Sequence, residues 1–295
     1  MMWLIFGING QLGKSLSIAL EERGIEFIGL GSNEVDIRSI VDINRFLSCR
    51  VPSVMINAAA WTDVDGAETN SDAAFAVNAS GAINLAEASK TIGATFVQIS
   101  TDYVFSGNSS TPWLETAQRA PISVYGASKA RAEEAIELIY PERSYIFRTA
   151  WLYSAWGKNF VRTMTRLALK NEDAVSVVDD QIGQPTFAMD LANQIIDSIL
   201  AGLPFGIYHA TNSGNASWFE FAQEVFRLTG ASVDRVKPIP SSSFIRPARR
   251  PTYSVLGHDA WSAHGIEGAR IPELRNWRIA LASAMPSIIS SIYAE

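Results

Sequence analysis

Cysteine occurs once, at Cys49, so the chain can form no internal disulfide and no multi-cysteine zinc site; a reducing compartment is expected. Histidine is almost as scarce: His209, His258 and His264 lack metal-ligand spacing, and no metal is expected. Charge is sparse as well. Charged residues make up 18% of 295, against 47% hydrophobic, which suits a packed globular chain. The net charge of −6 excludes a global basic field for nucleic acid, so any anionic ligand must be held by local donors. No apolar run approaches the roughly 18 residues of a bilayer span. The opening "MMWLIFGINGQLGK" has neither a basic leader nor a small-residue cleavage site. A cytoplasmic protein is expected, with neither membrane nor nucleic acid as partner.

What is present is alternation. "WLIF" (3–6), "EFIGL" (26–30), "SVMINAAA" (53–60), "TFVQIS" (95–100) and "SYIFRT" (144–149) read as strands separated by helical patterns, including a long one over 71–92. This rhythm predicts an α/β fold, a Rossmann-like doubly wound parallel sheet with helices on both faces. After about residue 150 the pattern loosens into helices near 158–171, 187–201 and 217–229, joined by Gly-, Pro-, Ser- and Asn-rich loops. A smaller, interleaved α/β substrate lobe is expected. Residues 1–150 and about 171–203 are assigned to the dinucleotide-binding domain, and about 151–170 and 204–295 to the lobe. Ligands of such sheets sit beyond the carboxyl ends of the strands. Gly7–Gly13, Asn57–Thr62, Ser100–Ser106 and Arg148–Tyr153 should therefore share a cleft.

"GINGQLG" places Gly7, Gly10 and Gly13 three apart, between a strand and a helix. Glycines let backbone N–H groups approach a diphosphate, and a helix N-terminus adds partial positive charge. The spacing differs from the G-x-G-x-x-G fingerprint, and a tight strand–helix turn would also use glycine; position after the first strand favours dinucleotide binding. The second strand ends in Gly31, Ser32 and Asn33, with no acid to repel a 2′-phosphate and no arginine to attract one. NADPH is the expected cofactor, NADH the alternative. Asp36 and Ile37 offer either a polar grip and an apolar wall for adenine, or a solvated turn.

"VYGASK" puts Tyr125 and Lys129 four apart, on one face of a helix. A phenol with a pKa of about 10 transfers protons poorly near neutrality, and a neighbouring ammonium would lower it. The pair alone is common. Behind a glycine loop, and after a strand ending in Ser100 and Thr101, the combination can hold a substrate carbonyl, protonate it and deliver hydride to it from a bound dinucleotide.

At this point the chain resembles the extended short-chain dehydrogenase/reductases and, within them, the dTDP-4-dehydrorhamnose reductases. "FGINGQLG", "INAAAWTDVDGAE", "ISTDYVFSG", "VYGASK", "FRTAWLY", "NFVRTM", "DQIGQPT", "GIYHATNSG" and "ARRPTYSVL" occur in that family's order over nearly the whole chain. The resemblance implies a catalytic triad of Thr101, Tyr125 and Lys129. It implies cofactor contacts at Gly10, Gln11, Leu12, Asp36, Ile37, Ala58, Ala59, Ala60 and Thr62 besides Tyr125 and Lys129, and substrate contacts at Thr101, Asp102, Tyr125 and Trp151. The family reduces the 4-keto group of a dTDP-4-dehydro-6-deoxy-L-mannose to give dTDP-L-rhamnose for cell-surface polysaccharide. Two positions depart from many relatives, Ala132 for Gly and Ser106 for Asp. Some members bind magnesium and dimerise through C-terminal carboxylates. No such cluster can be matched in "GHDAWSAHGIEGARIPE", which leaves a homodimer open.

Other segments have bland and sharp readings. "RPARRP" is a solvated, proline-stiffened loop or a source of guanidinium for a nucleotide diphosphate, with Arg250 assigned to that contact. Trp151 is core or a platform for sugar or base. Trp218, in an apolar helical pattern, is assigned to the core. Asp63, Asp65 and Glu68 are assigned to loop or helix-start solvation, in a loop that faces the cleft. A 4,6-dehydratase would need a glutamate where Tyr103 stands. A sugar epimerase would retain NAD, and a non-catalytic subunit of this fold need not keep the triad.

Overall fold

The computed structural model describes residues 2–170, 172–263 and 274–294. Its centre is a six-stranded sheet, parallel throughout. In chain order the first five strands are β1 (Trp3–Phe6), β2 (Phe27–Leu30), β3 (Val54–Asn57), β4 (Thr95–Thr101) and β5 (Ser144–Thr149), and Gly206–His209 adds the sixth. Across the sheet the order is Gly206–His209, β5, β4, β3, β1, β2. After β2 the chain returns past β1 to lay down β3, so the order reverses between β1 and β3. That reversal is the topological switch point at which α/β sheets bind ligands.

The strands are apolar on both faces because both are covered. Trp3 and Ile5 pack beneath the Gln11–Glu22 and Ala188–Leu200 helices. Leu4 and Phe6 face the opposite way, toward the Ile40–Leu47, Gly81–Ile92 and Val124–Ile139 helices. The second lobe has its own core of Tyr153, Val161, Phe221, Phe226, Leu281 and Ile288. These come mainly from the helices Phe160–Lys170, Trp218–Leu228 and Trp277–Tyr293. The Trp218 helix opens with a capping box, in which Ser217 accepts from the Glu220 N–H and Glu220 from the Ser217 N–H.

Two segments cross the expected domain division. Gly206–His209, assigned by sequence to the lobe, pairs in parallel with β5 as the sheet's last strand. Val175–Val178, assigned to the dinucleotide domain, pairs with Val236–Ile239 in the lobe. Four-residue strands carry too little pattern to reveal which sheet they join. The helix expected over 71–92 is interrupted by a π-helical turn, Ala76–Ser80. There Asn78 faces inward: it accepts from the Trp61 N–H (2.8 Å) and donates to the Ser128 hydroxyl (2.9 Å). The "GHDAWSAHGIEGARIPE" stretch lies outside the described residues from 264 to 273.

One buried ion cluster fastens a helix to the sheet. Glu133, fully buried on the Val124–Ile139 helix, accepts two-pronged hydrogen bonds from Arg148 of β5 at 2.7 to 3.1 Å, and a further one from Arg119 at 2.5 Å. Truncating one member of a buried pair strands the charge of the other. Glu133→Ala should therefore cost about 3–5 kcal/mol of stability, read as a lowered midpoint in urea unfolding. An unchanged midpoint would remove the cluster from the fold's supports.

Candidate active site

A cavity of about 840 Å³ opens over the carboxyl ends of β1–β5. At its floor β1 runs into Gly7, whose φ is +85°. A Cβ there would stand 2.5 Å from the Ala59 nitrogen, so only glycine lets the first loop lie against the exit of β3. Gly10 is the N-cap of the Gln11–Glu22 helix; no side chain caps that end and no acid stands in the first turn. The helix thus presents bare backbone N–H groups and its positive end to the cavity. This cradle suits a dinucleotide diphosphate. Gly10, Gln11, Leu12, Ala58, Ala59, Ala60 and Thr62 all line it, with Gly7. Gly13 does not. A Cβ on it would meet the Gly7 carbonyl oxygen at 2.3 Å, so this glycine serves helix–strand packing, which is a correction to its assigned cofactor contact.

The far end is formed by Leu30–Ser32, Asp36, Ile37 and Arg38. An arginine therefore does stand where none was expected; it lies six residues past Ser32 in sequence and is brought back by the intervening turn. Arg38 grips Asp36 through contacts of 2.7 to 3.1 Å, which hold the Asp36 carboxyl below its ordinary range. Nor is a carboxylate absent: Glu34 folds back to accept from the Gly31 N–H at 2.8 Å.

At the centre Thr101, Asp102, Tyr125 and Lys129 converge on the cavity. Tyr125 and Lys129 sit one turn apart, and the small Gly126–Ser128 segment between them lies close under its neighbours, since a Cβ on Gly126 would strike the Tyr103 carbonyl oxygen at 2.2 Å. Ser123 caps the helix by accepting from the Gly126 N–H, and Glu68 accepts from the Val124 N–H at 2.9 Å. Lys129 is buried and donates to the Ile99 carbonyl at 2.5 Å; burial lowers its pKa to about 8, against the opposing pull of Glu133. Tyr125 moves the other way. Desolvation lifts its pKa to about 12, the Thr101 hydroxyl offsetting part of the rise. Burial sets the direction of the phenol's shift here, and Lys129 is not among the groups that move it, its Nζ being turned to a backbone carbonyl.

Thr101 donates to Asp102 Oδ1 at 3.0 Å. The other Asp102 oxygen is buried without a hydrogen-bond partner, and burial raises the carboxyl pKa to about 6. The Thr149 hydroxyl, also lining the cavity, is likewise buried and unpartnered. Where a dehydratase would need a carboxylate, Tyr103 packs edge-on against Tyr125 at 5.7 Å.

The wall from the second lobe is aromatic. Trp151 lies with φ +43°, the one non-glycine residue with positive φ among those described, and its ring stacks on Trp218 at 3.5 Å and 10°. Gly183 backs this stack, since a Cβ there would stand 2.5 Å from the Trp151 ring. Trp218 lines the cavity, correcting its assignment to the core. Arg250 does not line it. Its guanidinium is held by Asp65 at 2.9 Å, as is that of Arg246 at 3.1 Å. Asp63 caps the Val64–Thr69 helix by accepting from Gly66. Asp63 thus has the expected helix-start role and stays exposed, while Asp65 and Glu68 are partly buried and bond to other segments. Among the described residues no group of three or more His, Cys, Asp or Glu could hold a metal, and no helix is long and apolar enough to cross a membrane.

Sequence reasoning missed Arg38, Asn78 and Lys158. The only signal for Asn78 was a polar residue inside an otherwise apolar helical stretch; Lys158 and Arg38 left none.

A glycine loop at the switch point, facing a Tyr-x-x-x-Lys helix across one cavity, defines the fold and site class of the extended short-chain dehydrogenase/reductases. More narrowly, the chain belongs to the RmlD substrate binding domain family, whose model matches residues 1–289. The dTDP-4-dehydrorhamnose reductase of Streptomyces griseus is 44% identical over 290 residues, covering 97% of this chain and 93% of its own. The dTDP-4-keto-6-deoxy-D-glucose reductase of Streptomyces niveus is 39% identical over 284 residues, covering 96% of each. The crystal structure of Bacillus anthracis dTDP-4-dehydrorhamnose reductase in complex with NADP superposes with a TM-score of 0.91 at 37% identity, covering 97% of this chain and 98% of that one.

Lys129 should lose its charge as pH rises through about 8. Because its folded pKa lies below the ordinary 10.5, the unfolded chain binds the extra proton between those values, and this group's contribution to stability rises with pH across that window. Titration of 13Cε-labelled lysines, with Lys129→Arg for assignment, should show one resonance with a midpoint near 8. A midpoint at the ordinary lysine value would refute the desolvation.

Proposed function

We propose that the chain reduces the 4-keto group of dTDP-4-dehydrorhamnose to dTDP-L-rhamnose with NADPH, in nucleotide-sugar supply for polysaccharide. One observation carries this: Thr101, Tyr125 and Lys129 meet in a single cavity with the glycine cradle, in a chain 44% identical to a reductase of that name. The nicotinamide supplies hydride when bound. Tyr125, held protonated by burial, donates its proton to the oxygen of the ketone. Lys129 holds a proton on Nζ at the nicotinamide-ribose side and restores the charge balance as the phenol gives its own up. Thr101 orients the carbonyl, Asp102 contacts the sugar, and the Trp151–Trp218 stack gives the sugar or thymine a flat face and excludes water. Arg38 would meet a 2′-phosphate by exchanging its Asp36 partner, which favours NADPH over NADH. Arg250 would reach the sugar diphosphate by exchanging its Asp65 partner.

The identity to the Streptomyces niveus enzyme favours a second reading, reduction of another dTDP-4-keto-6-deoxy sugar on the same framework. We place the protein in the cytoplasm.

Tyr125→Phe should bind NADPH as the parent does while turnover falls about 10² to 10⁴-fold, measured as NADPH absorbance loss with dTDP-4-dehydrorhamnose. Full turnover in that variant would make the proton assignment wrong. Trp218→Ala should raise KM for the sugar nucleotide about tenfold, the worth of a lost stacking contact, and leave the NADPH Kd alone. A panel of dTDP-4-keto sugars, ranked by kcat/KM, decides between the two substrates.

A further inference from the structure

Three cations line the cavity: Arg38, Lys129 and Lys158. Two are committed. Arg38 holds Asp36, and Lys129 is buried against the Ile99 carbonyl. Lys158 is exposed and has no hydrogen-bond or ion-pair partner among the described residues. Its place is fixed by the loop that carries it. Gly157 turns the chain at φ +68°, and a Cβ on it would touch Gln11 Cγ at 3.4 Å. The Ser154 hydroxyl and the Asn159 amide both donate to Gln11 Oε1, at 3.0 and 2.9 Å. Asn159 in turn accepts from the Arg162 N–H and so opens the Phe160–Lys170 helix. Gln11 is the first residue of the helix whose N-terminus no side chain caps. The second lobe is therefore pinned to the end of the dinucleotide domain that offers an anion site, and Lys158 stands beside the pin.

We propose that Lys158 binds the diphosphate bridge of NADPH from the second lobe, opposite the helix N-terminus. A helix end supplies roughly half a positive charge, well short of the two negative charges of a diphosphate. The glycine loop brings no cation of its own, and Lys129 is turned to a carbonyl. Lys158 closes that deficit. It also makes the lobe bearing Trp151 and Trp218 part of the cofactor site, so that cofactor binding steadies the wall on which the sugar nucleotide rests. The assignment rests on the NADPH reading given above.

The test is the affinity of Lys158→Met for NADPH and for 2′-AMP, which has the adenosine 2′-phosphate but no diphosphate bridge. NADPH should bind about tenfold more weakly, the worth of one charge-assisted hydrogen bond, with a flatter dependence on salt. The 2′-AMP affinity should stay within about twofold, and Lys158→Arg should recover most of the NADPH affinity. Unchanged NADPH binding in Lys158→Met, beside a parent protein that binds it, would overturn the assignment and leave the cofactor reading intact. An equal loss for 2′-AMP would also overturn it, by moving Lys158 to the adenosine end. A parent protein that binds no NADPH would instead sink the cofactor reading, and this assignment with it.

Discussion

The site depends on how one helix is held against the sheet. Tyr125, Lys129 and Glu133 follow each other at four-residue intervals on the Val124–Ile139 helix, and so share a face. The innermost, Glu133, is clamped by Arg148 from the end of β5 and by Arg119. Its carboxyl is held below the ordinary range by those guanidiniums despite complete burial. The clamp fixes both the height and the rotation of the helix. With that fixed, Lys129 can only reach the Ile99 carbonyl and Tyr125 can only face the cavity. Arg148 is itself braced, with Nη1 on the Glu115 carbonyl and 3.2 Å from His209, an imidazole kept neutral by burial with a pKa pushed down to about 3. The polar chain thus runs from the sixth strand through Arg148 to Glu133.

The order reversal between β1 and β3 supplies the other half. It opens a crevice at the one place where two strand exits can lie in contact, and Gly7 lets them do so. What would be a buried cost elsewhere, an uncapped helix N-terminus, becomes an anion site because the crevice is open there. The second lobe closes the crevice from above by a different device, the side-chain bonds between Gln11 and the Ser154–Asn159 loop.

Much of this was legible in the sequence because it is local. Strand–helix alternation predicts the parallel sheet, "GINGQLG" the cradle and "VYGASK" the shared face of phenol and amine. What stayed hidden depends on contacts between distant segments. Gly13 resembles Gly10 in sequence and differs only in facing the Gly7 carbonyl. Trp218 sits in an amphipathic pattern that suits a core position, yet its ring is drawn out to stack on Trp151, over sixty residues earlier. Arg250 lies in a basic run that suits a phosphate, and its partner Asp65 is fixed only by the fold. Gly206–His209 and Val175–Val178 are too short for their hydrophobic pattern to name a sheet.

The sequence also suggested that a nearby ammonium would make the phenol acidic. In this structure burial, not Lys129, dominates the phenol. A ketone that accepts hydride needs a proton, so the donor must arrive protonated, and a phenol lifted to about 12 by burial is protonated at every physiological pH. A phenol lowered toward neutrality would suit the reverse oxidation, in which it must accept. Lys129, lowered to about 8, keeps its charge at neutral pH while standing close to its titration point, so it can respond when the phenol gives up its proton. Desolvation acts on both groups and pushes them in opposite directions, because it penalises whichever form is charged. It moves their proton affinities apart, from the ordinary 10.0 and 10.5 to about 12 for the phenol and about 8 for the amine. Dryness at Tyr125 keeps the phenol protonated but makes its proton harder to give up, so the transfer must draw on the negative charge that develops at the carbonyl oxygen and on the positive charge of Lys129.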